Sequence, residues 1–156
     1  MKTSKRFISA LLAAVFIMQL SACTSEEEIV PENEINDSRG LTIQLEWNTG
    51  GSATQSLSDV DLDLYLTLQG EEVAYSESFS RFESVDLMNY YADGTYTVTV
   101  AYVGGEKALT YTLYVSGASE DSKEVLYEGL FAAGDRGSEI NDLVIIKDGD
   151  QFTIQD

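Results

Sequence analysis

From residue 41 onward, hydrophobic and polar residues alternate with a period of two, which is typical of half-buried β-strands. The first such run covers residues 41–48, and the second, 59–68, has Val or Leu at every second position from residue 60. Glycines or Asp-Gly pairs end several of the runs, as expected of turns. The remaining runs are 73–79, 95–103, 109–115, 123–131, 143–146 and 152–154. We therefore predict about eight or nine short strands and no long helix.

The turns between these runs predict two hairpins. Residues 95–103 and 109–115 are separated by Gly104-Gly105-Glu106-Lys107, and we expect them to pair with each other. Residues 143–146 and 152–154 are separated by a turn that contains Asp148-Gly149, a dipeptide that strongly favours short hairpin loops. Closely spaced strands of this kind indicate an all-β antiparallel sandwich or barrel, formed by one domain over residues 41–156 with an extra C-terminal hairpin.

The first 22 residues differ from the rest of the chain and predict a targeting segment. Three basic residues open it, and an apolar stretch of about 14 residues follows, shorter than the ~20 that span a bilayer. The stretch ends in Leu20-Ser21-Ala22-Cys23. It resembles a bacterial lipoprotein signal peptide, which implies that Cys23 carries the lipid and begins the mature chain. The alternative is an ordinary secretory signal followed by a chance cysteine.

Residues 23–40 predict a disordered acidic tether between that cysteine and the domain. The segment holds the only proline of the chain, Pro31, and too few apolar residues to offset the entropy of ordering. Its acidic run, Ser25–Glu28, resembles the export signal that sends some Gram-negative lipoproteins to the outer face of the outer membrane. We therefore expect a lipid-anchored, surface-exposed protein of the outer membrane. The alternative is that this segment is only a spacer and that the protein faces the periplasm.

The amino-acid composition excludes some classes of binding partner. The chain of 156 residues has 27 acidic and 9 basic residues, a net charge of −18, no histidine and one cysteine. Without its first 22 residues it keeps 27 acidic and 6 basic residues, which gives −21. This charge repels phosphate backbones and anionic lipid head groups, so we expect no nucleic acid and a membrane contact through the lipid alone. The lack of histidine excludes a Ser-His or Cys-His pair and the usual zinc sites.

The block from residue 59 to 116 resembles the bacterial pre-peptidase C-terminal domain. The matching elements are Asp61–Leu66, Ser76, Glu83, Gly94–Val100 and Tyr111–Val115. The resemblance implies a jelly-roll-like sandwich of the galactose-binding kind and a non-catalytic role in secretion or in holding a substrate. It gives no role to residues 117–156.

The resemblance also bears on an ambiguous segment. Phe82, Val85, Met88 and Tyr91 have the spacing of a helical turn, whereas alternation through Glu83, Val85 and Leu87 fits a strand. We favour the strand.

Asp59, Asp61 and Asp63 occupy alternate positions, so we expect their carboxylates to share one strand face. Three oxygens on one side could start a calcium site, for which six to eight oxygen ligands are needed. Acidic residues of the 135–142 loop could supply more. The alternative is a solvated acidic face. We expect no cofactor, with calcium as the one possible exception.

Seven of the nine tyrosines fall into two groups. Tyr96, Tyr102 and Tyr111 fall in register with core-facing residues and predict packing. The second group lies on polar strand faces or next to a turn, where a tyrosine ring could stack on a sugar or anchor a protein partner. These candidate ligand contacts are Tyr65, Tyr90, Tyr91 and Tyr114. The alternative is that a neighbouring strand or loop covers them.

The sequence thus favours a non-catalytic binding or accessory module for a glycan or a protein. A structural subunit of a surface complex is the alternative, recognised through a strand edge or the C-terminal hairpin. A small hydrolase is the third option, because a carboxylate pair can hydrolyse glycosides. No lysine lies in a Ser-Lys motif and no glycine-rich phosphate loop occurs, so we expect no catalytic residues.

Overall fold

The computed structural model describes residues 31–78, 80, 82–120 and 122–156. Within them the chain forms ten strands and one short helix, α1, arranged as two antiparallel sheets. The all-β sandwich that the alternation predicts is therefore confirmed. The strands are β1 Glu34–Asn36, β2 Gly40–Asn48, β3 Val60–Leu68, β4 Glu71–Ser76, β5 Phe82–Met88, β6 Gly94–Gly105, β7 Leu109–Gly117, β8 Glu124–Phe131, β9 Glu139–Asp148 and β10 Gln151–Gln155, and α1 is Ala53–Asp59.

The two sheets divide the chain unevenly. The six-stranded sheet has the order β1-β10-β9-β6-β3-β4, and the four-stranded sheet has the order β5-β2-β7-β8. The ambiguous segment forms β5, an edge strand of the smaller sheet, so the preference for a strand is confirmed.

The core lies between the sheets and is built from the alternation itself. Most strands place every second side chain in the interior, as in β3, where Val60, Leu62, Leu64 and Leu66 are buried. The tyrosines predicted to pack, Tyr96, Tyr102 and Tyr111, are buried as well. Fully burying one such large apolar side chain is worth roughly 1.5–3 kcal/mol, so this interior face is the main source of stability.

The C-terminal hairpin of β9 and β10 is confirmed. Gly149 occupies the turn with φ of 58°, a left-handed conformation that glycine adopts without strain. Asp93 supports this turn by accepting hydrogen bonds from the Gly149 amide (2.9 Å) and from Nζ of the buried Lys147 (2.7 Å). These bonds lower the pKa of Asp93.

The predicted hairpin between residues 95–103 and 109–115 is wrong. β6 pairs with β3 and β9 in the larger sheet, whereas β7 pairs with β2 and β8 in the smaller one. Both sides of β6 are already occupied, so the chain crosses between layers instead of turning back. The hydroxyl of Tyr102 closes this crossing by donating to the carbonyl of Lys107 at 2.9 Å.

The predicted tether is wrong over its second half. β1 pairs with β10, Asn33 donates from its side chain to the Ile154 carbonyl (3.1 Å), and Ile35 is 1% exposed. Asp37 is also buried, and its carboxylate accepts from the Arg39 amide and from Ser119. Burial alone would raise its pKa, but these hydrogen bonds outweigh burial and lower it. The acidic composition of this segment predicted a tether, although one apolar side chain, Ile35, reaches the core. Residues 23–30, with Cys23, lie outside the described residues.

α1 was not predicted, because its seven residues lack an apolar stripe. Ser52 caps it by accepting from the Gln55 amide at 3.3 Å, which is the usual helix-starting hydrogen bond.

Ile35→Ala tests whether residues 33–37 belong to the fold. We expect a loss of about 2–4 kcal/mol in the free energy of unfolding, because the substitution empties part of the core. Urea denaturation measures it. The matched control, Glu32→Ala at an exposed position, should stay within about 0.5 kcal/mol. Equal stability of both variants would show that this segment is only a tether.

Candidate functional site

The outer face of the four-stranded sheet, termed the binding face below, carries one groove near each of its ends. The inward side chains of its strands fill the core, so the alternate ones point outward. Most of these outward residues are polar. The full set of outward residues is Phe82, Ser84, Asp86 and Met88 of β5, Thr42, Gln44, Glu46 and Asn48 of β2, Thr110, Thr112, Tyr114 and Ser116 of β7, and Glu124, Leu126, Glu128 and Leu130 of β8.

A first groove of about 290 Å³ lies at the α1 end of the binding face. Tyr114, Thr112 and Glu46 form its floor, and residues of the 51–56 segment form its wall.

Hydrogen bonds hold α1 in place beside this groove. The Ser56 hydroxyl accepts from the Thr49 amide (3.1 Å), and the Thr49 hydroxyl donates to Asp59 (2.9 Å). Asp59 also forms an ion pair with Lys107 at 2.8 Å. Lys107 and Thr49 both favour the ionised carboxylate and lower the pKa of Asp59, although its desolvation opposes them. The wall of the groove is therefore fixed to the loops at the end of the sandwich.

A second groove of about 690 Å³ lies at the opposite end of the binding face. Tyr90, which is 79% exposed, lines it together with Arg39, Asp86 and Met88. The Tyr90 ring packs edge-on against Tyr91, with centroids 5.1 Å apart. Tyr91 itself is half-buried against the core, so only Tyr90 of this pair is free to meet a ligand.

Tyr114 lies between the two ends. It pairs across the sheet with Gln44 on one side and Leu126 on the other, and its ring is half-exposed. No described strand or loop covers the binding face as a third layer. Sequence reasoning identified Tyr114 and Tyr90 but missed their neighbours Gln44, Glu46 and Thr112. The polar half of each strand's alternation carries that signal, once the strands are known to adjoin.

Tyr65 lies on the other sheet and is occupied by acidic partners. Its hydroxyl lies 2.7 Å from a Glu77 oxygen and 3.1 Å from an Asp63 oxygen. Burial and these carboxylates raise the pKa of Tyr65. The four candidate tyrosines therefore do not form one site.

The expectation that Asp59, Asp61 and Asp63 share one strand face is wrong. Asp59 is the last residue of α1 and is engaged by Lys107, whereas Asp61 and Asp63 lie on the outer side of β3. Across the described residues, no group of three or more Asp, Glu, Cys or His side chains is arranged to hold a metal ion. The calcium hypothesis thus gains no geometric support.

A buried carboxylate that the sequence did not single out as a site lies close to this region. Glu83 of β5 faces the core with 0% exposure and accepts hydrogen bonds from the hydroxyls of Ser76 and Ser78 and from the Ser78 amide. Ser76 and Glu83 are the two isolated positions of the family resemblance, and here they are partners. Their arrangement satisfies the buried charge and closes the side of the sandwich between β4 and β5.

Comparisons with protein-family models, with curated proteins and with solved structures found no match. The resemblance to pre-peptidase C-terminal domains therefore stays a prediction. Among the described residues, no helix has the length and apolar character needed to cross a membrane.

Asp61→Asn tests the electrostatics of the acidic side of β3. Burial raises the pKa of Asp61, and the charge of Glu83 raises it further. At neutral pH the folded protein therefore holds an unfavourable charge, whereas below about pH 3.9 the group is protonated in both states and the cost disappears. We expect urea denaturation to show a more stable variant at pH 7 and equal stability at about pH 3. The control Glu71→Gln, at an exposed carboxylate, should show no such dependence. A constant difference at both pH values would contradict this explanation.

Proposed function

We propose that the protein is a lipid-anchored, cell-surface binding module without catalytic activity, which holds a glycan across the binding face. The observation that carries this proposal is the binding face itself, an open sheet surface with a groove at each end and Tyr114 on the floor of the first. An extended ligand can contact both grooves at once on such a surface.

The side chains of the binding face favour a neutral, hydroxyl-rich ligand. Amide and hydroxyl groups of Gln44, Asn48 and Thr112 can each donate and accept hydrogen bonds. The ring of Tyr114 offers an apolar surface with a polar tip, which suits the apolar face of a sugar ring. A glycan presents both kinds of group along its length.

Charge supports the same ligand class. The chain without its first 22 residues has a net charge of −21, which disfavours anionic polymers and anionic lipid surfaces. Glu46 in the first groove can only accept hydrogen bonds when ionised, and sugar hydroxyls are suitable donors to it.

The lipid anchor in this proposal is supported by the amino-acid sequence. Acyl chains on Cys23 would hold the protein at the outer membrane, since each buried methylene contributes about 0.8 kcal/mol. The acidic stretch between Cys23 and residue 30 would serve as the tether and, by its resemblance to an export signal, direct the protein to the cell surface. The jelly-roll-like arrangement and kinship with pre-peptidase C-terminal domains are parts of the same proposal.

Tyr114→Ala tests glycan binding. A microarray of bacterial and host glycans first identifies a soluble oligosaccharide, and calorimetry then measures its affinity. We expect Tyr114→Ala to weaken binding about tenfold, the value of a stacking contact near 1.4 kcal/mol. Tyr75→Ala is the matched control, because Tyr75 is 58% exposed on the other sheet and its loss should leave the affinity unchanged. Equal affinity of the Tyr114 variant would place the ligand elsewhere.

Cys23→Ser tests the anchor independently. In cells fed an alkyne-labelled fatty acid, we expect the wild-type protein to carry the label and the variant to lose it and leave the membrane fraction. A variant that stays labelled would refute lipidation at Cys23. Protease treatment of intact cells then distinguishes the outer surface from the periplasmic side.

A further inference from the structure

The four edges of the two sheets are protected to different degrees. An edge strand exposes unpaired backbone N–H and C=O groups, and proteins normally shorten, bend, charge or cover it. β1 has only three residues, and β4 starts with Glu71-Glu72 and is interrupted by a bulge opposite Leu66 and Thr67. β5 lies next to β3 and β4, which cover its free side.

β8 has less protection, namely the charge of Glu124 and Glu128. It is eight residues long, contains no proline and pairs with β7 over its whole length without a bulge. Within the described residues, β7 is the only strand that pairs with it. Leu126 and Leu130 are 54% and 66% exposed on its outward face. The free side of β8 is therefore a straight, partly apolar template for another strand.

A groove of about 370 Å³ runs beside this edge, between β8 and the larger sheet. Leu126, Tyr127 and Glu128 of β8 line it on one side, and Asp142 and Asp156 line it on the other. The Oδ2 atom of Asp142 is buried and has no hydrogen-bond partner in the described part of the chain. Burial and the nearby Asp156 raise the pKa of Asp142, against the opposing effect of Tyr111. A cation in this groove would compensate the carboxylate.

The basic side chains nearest in sequence to β8 are used elsewhere. Lys123 donates to the carbonyls of Pro31 and Glu34, and Nε of Arg136 donates to the Val103 carbonyl at 3.3 Å. A second copy of this chain would bring the same acidic residues to the edge, so charge disfavours self-pairing. A basic segment of another molecule would therefore complement the carboxylates at this edge.

We propose that the free edge of β8 binds an extended segment of a partner protein that carries basic and apolar side chains in turn on one of its faces. The segment adds as a fifth strand to the smaller sheet, and its backbone pairs with β8. On the outward side, its basic residues meet Glu124 and Glu128 and its apolar residues cover Leu126 and Leu130, while the residues between them face the groove that contains Asp142. This interaction uses the free backbone of β8 and not the two grooves, although Leu126 and Leu130 belong to the binding face.

The probe is a synthetic peptide as long as β8 in which lysine and valine take turns at every second position, with threonine between them. Titration into the purified, isotope-labelled protein is followed by NMR. We expect chemical-shift changes to concentrate in β8. We also expect slower hydrogen exchange of the backbone amides on its free edge. A second peptide of equal charge, with two valines replaced by proline, should bind at least about tenfold more weakly, since proline cannot donate to the ladder and resists the pairing.

Variants separate pairing at β8 from general attraction to an acidic protein. Glu124→Lys with Glu128→Lys should weaken the first peptide about tenfold, because two attractive charge pairs become repulsive. Glu71→Lys with Glu72→Lys makes the same charge change on another edge and should alter the affinity by about twofold or less. Both pairs are exposed, and urea denaturation verifies that the variants fold.

Four results would overturn the proposal. The proline peptide could bind as tightly as the first, or the shifts could map to the two grooves of the binding face and not to β8. The Glu71/Glu72 variant could also weaken binding as much as the β8 variant, which would show a non-specific charge effect. A protein that dimerises through β8, detected by a concentration-dependent mass, would make a second copy the occupant and equally reject a basic partner strand.

Discussion

Each sheet of this protein can bury only one of its faces, and the rest of the structure follows from that constraint. Two layers give one shared apolar interior, so the many acidic residues must lie on outer faces, edges and loops. The few that enter the interior have partners. Glu83 is held by Ser76 and Ser78, and Asp37 by the 39 and 119 backbone amides and the Ser119 hydroxyl. Function must therefore lie on an outer face or an edge.

Much of the fold could be predicted from the sequence, because the alternation of apolar and polar residues along a strand shows which of its faces is buried. The alternation along β3 and β6 and the Asp-Gly turn before β10 are local signals. Pairing between strands is not local. Nothing in residues 95–115 indicates that β6 is already flanked on both sides, so the turn sequence predicted a hairpin that the sheets do not allow. β1 was missed for a related reason, since a single isoleucine decides its burial.

The candidate site was less predictable, because it depends on which strands are neighbours. Tyr114 could be assigned to a polar strand face from its own register. Its position between Gln44 and Leu126, however, requires β2, β7 and β8 to adjoin in that order. The aspartates show the opposite case. Their spacing suggested a shared face, but the strand starts at Val60, so Asp59 is in α1 instead.

The position of β1 has a mechanical consequence for an anchored molecule. With the anchor proposed at Cys23 and the proposed ligand bound, tension would enter the domain at residue 31 and act first on a three-residue strand. The bonds of Lys123 to the Pro31 and Glu34 carbonyls and the Asp37 clamp on Ser119 lie along that route. Under load β1 would detach before β2, in which residues 41–46 are paired on both sides. Release of β1 would lengthen the segment between the proposed anchor and the domain while the smaller sheet stayed intact, and so would limit the force that reaches that sheet.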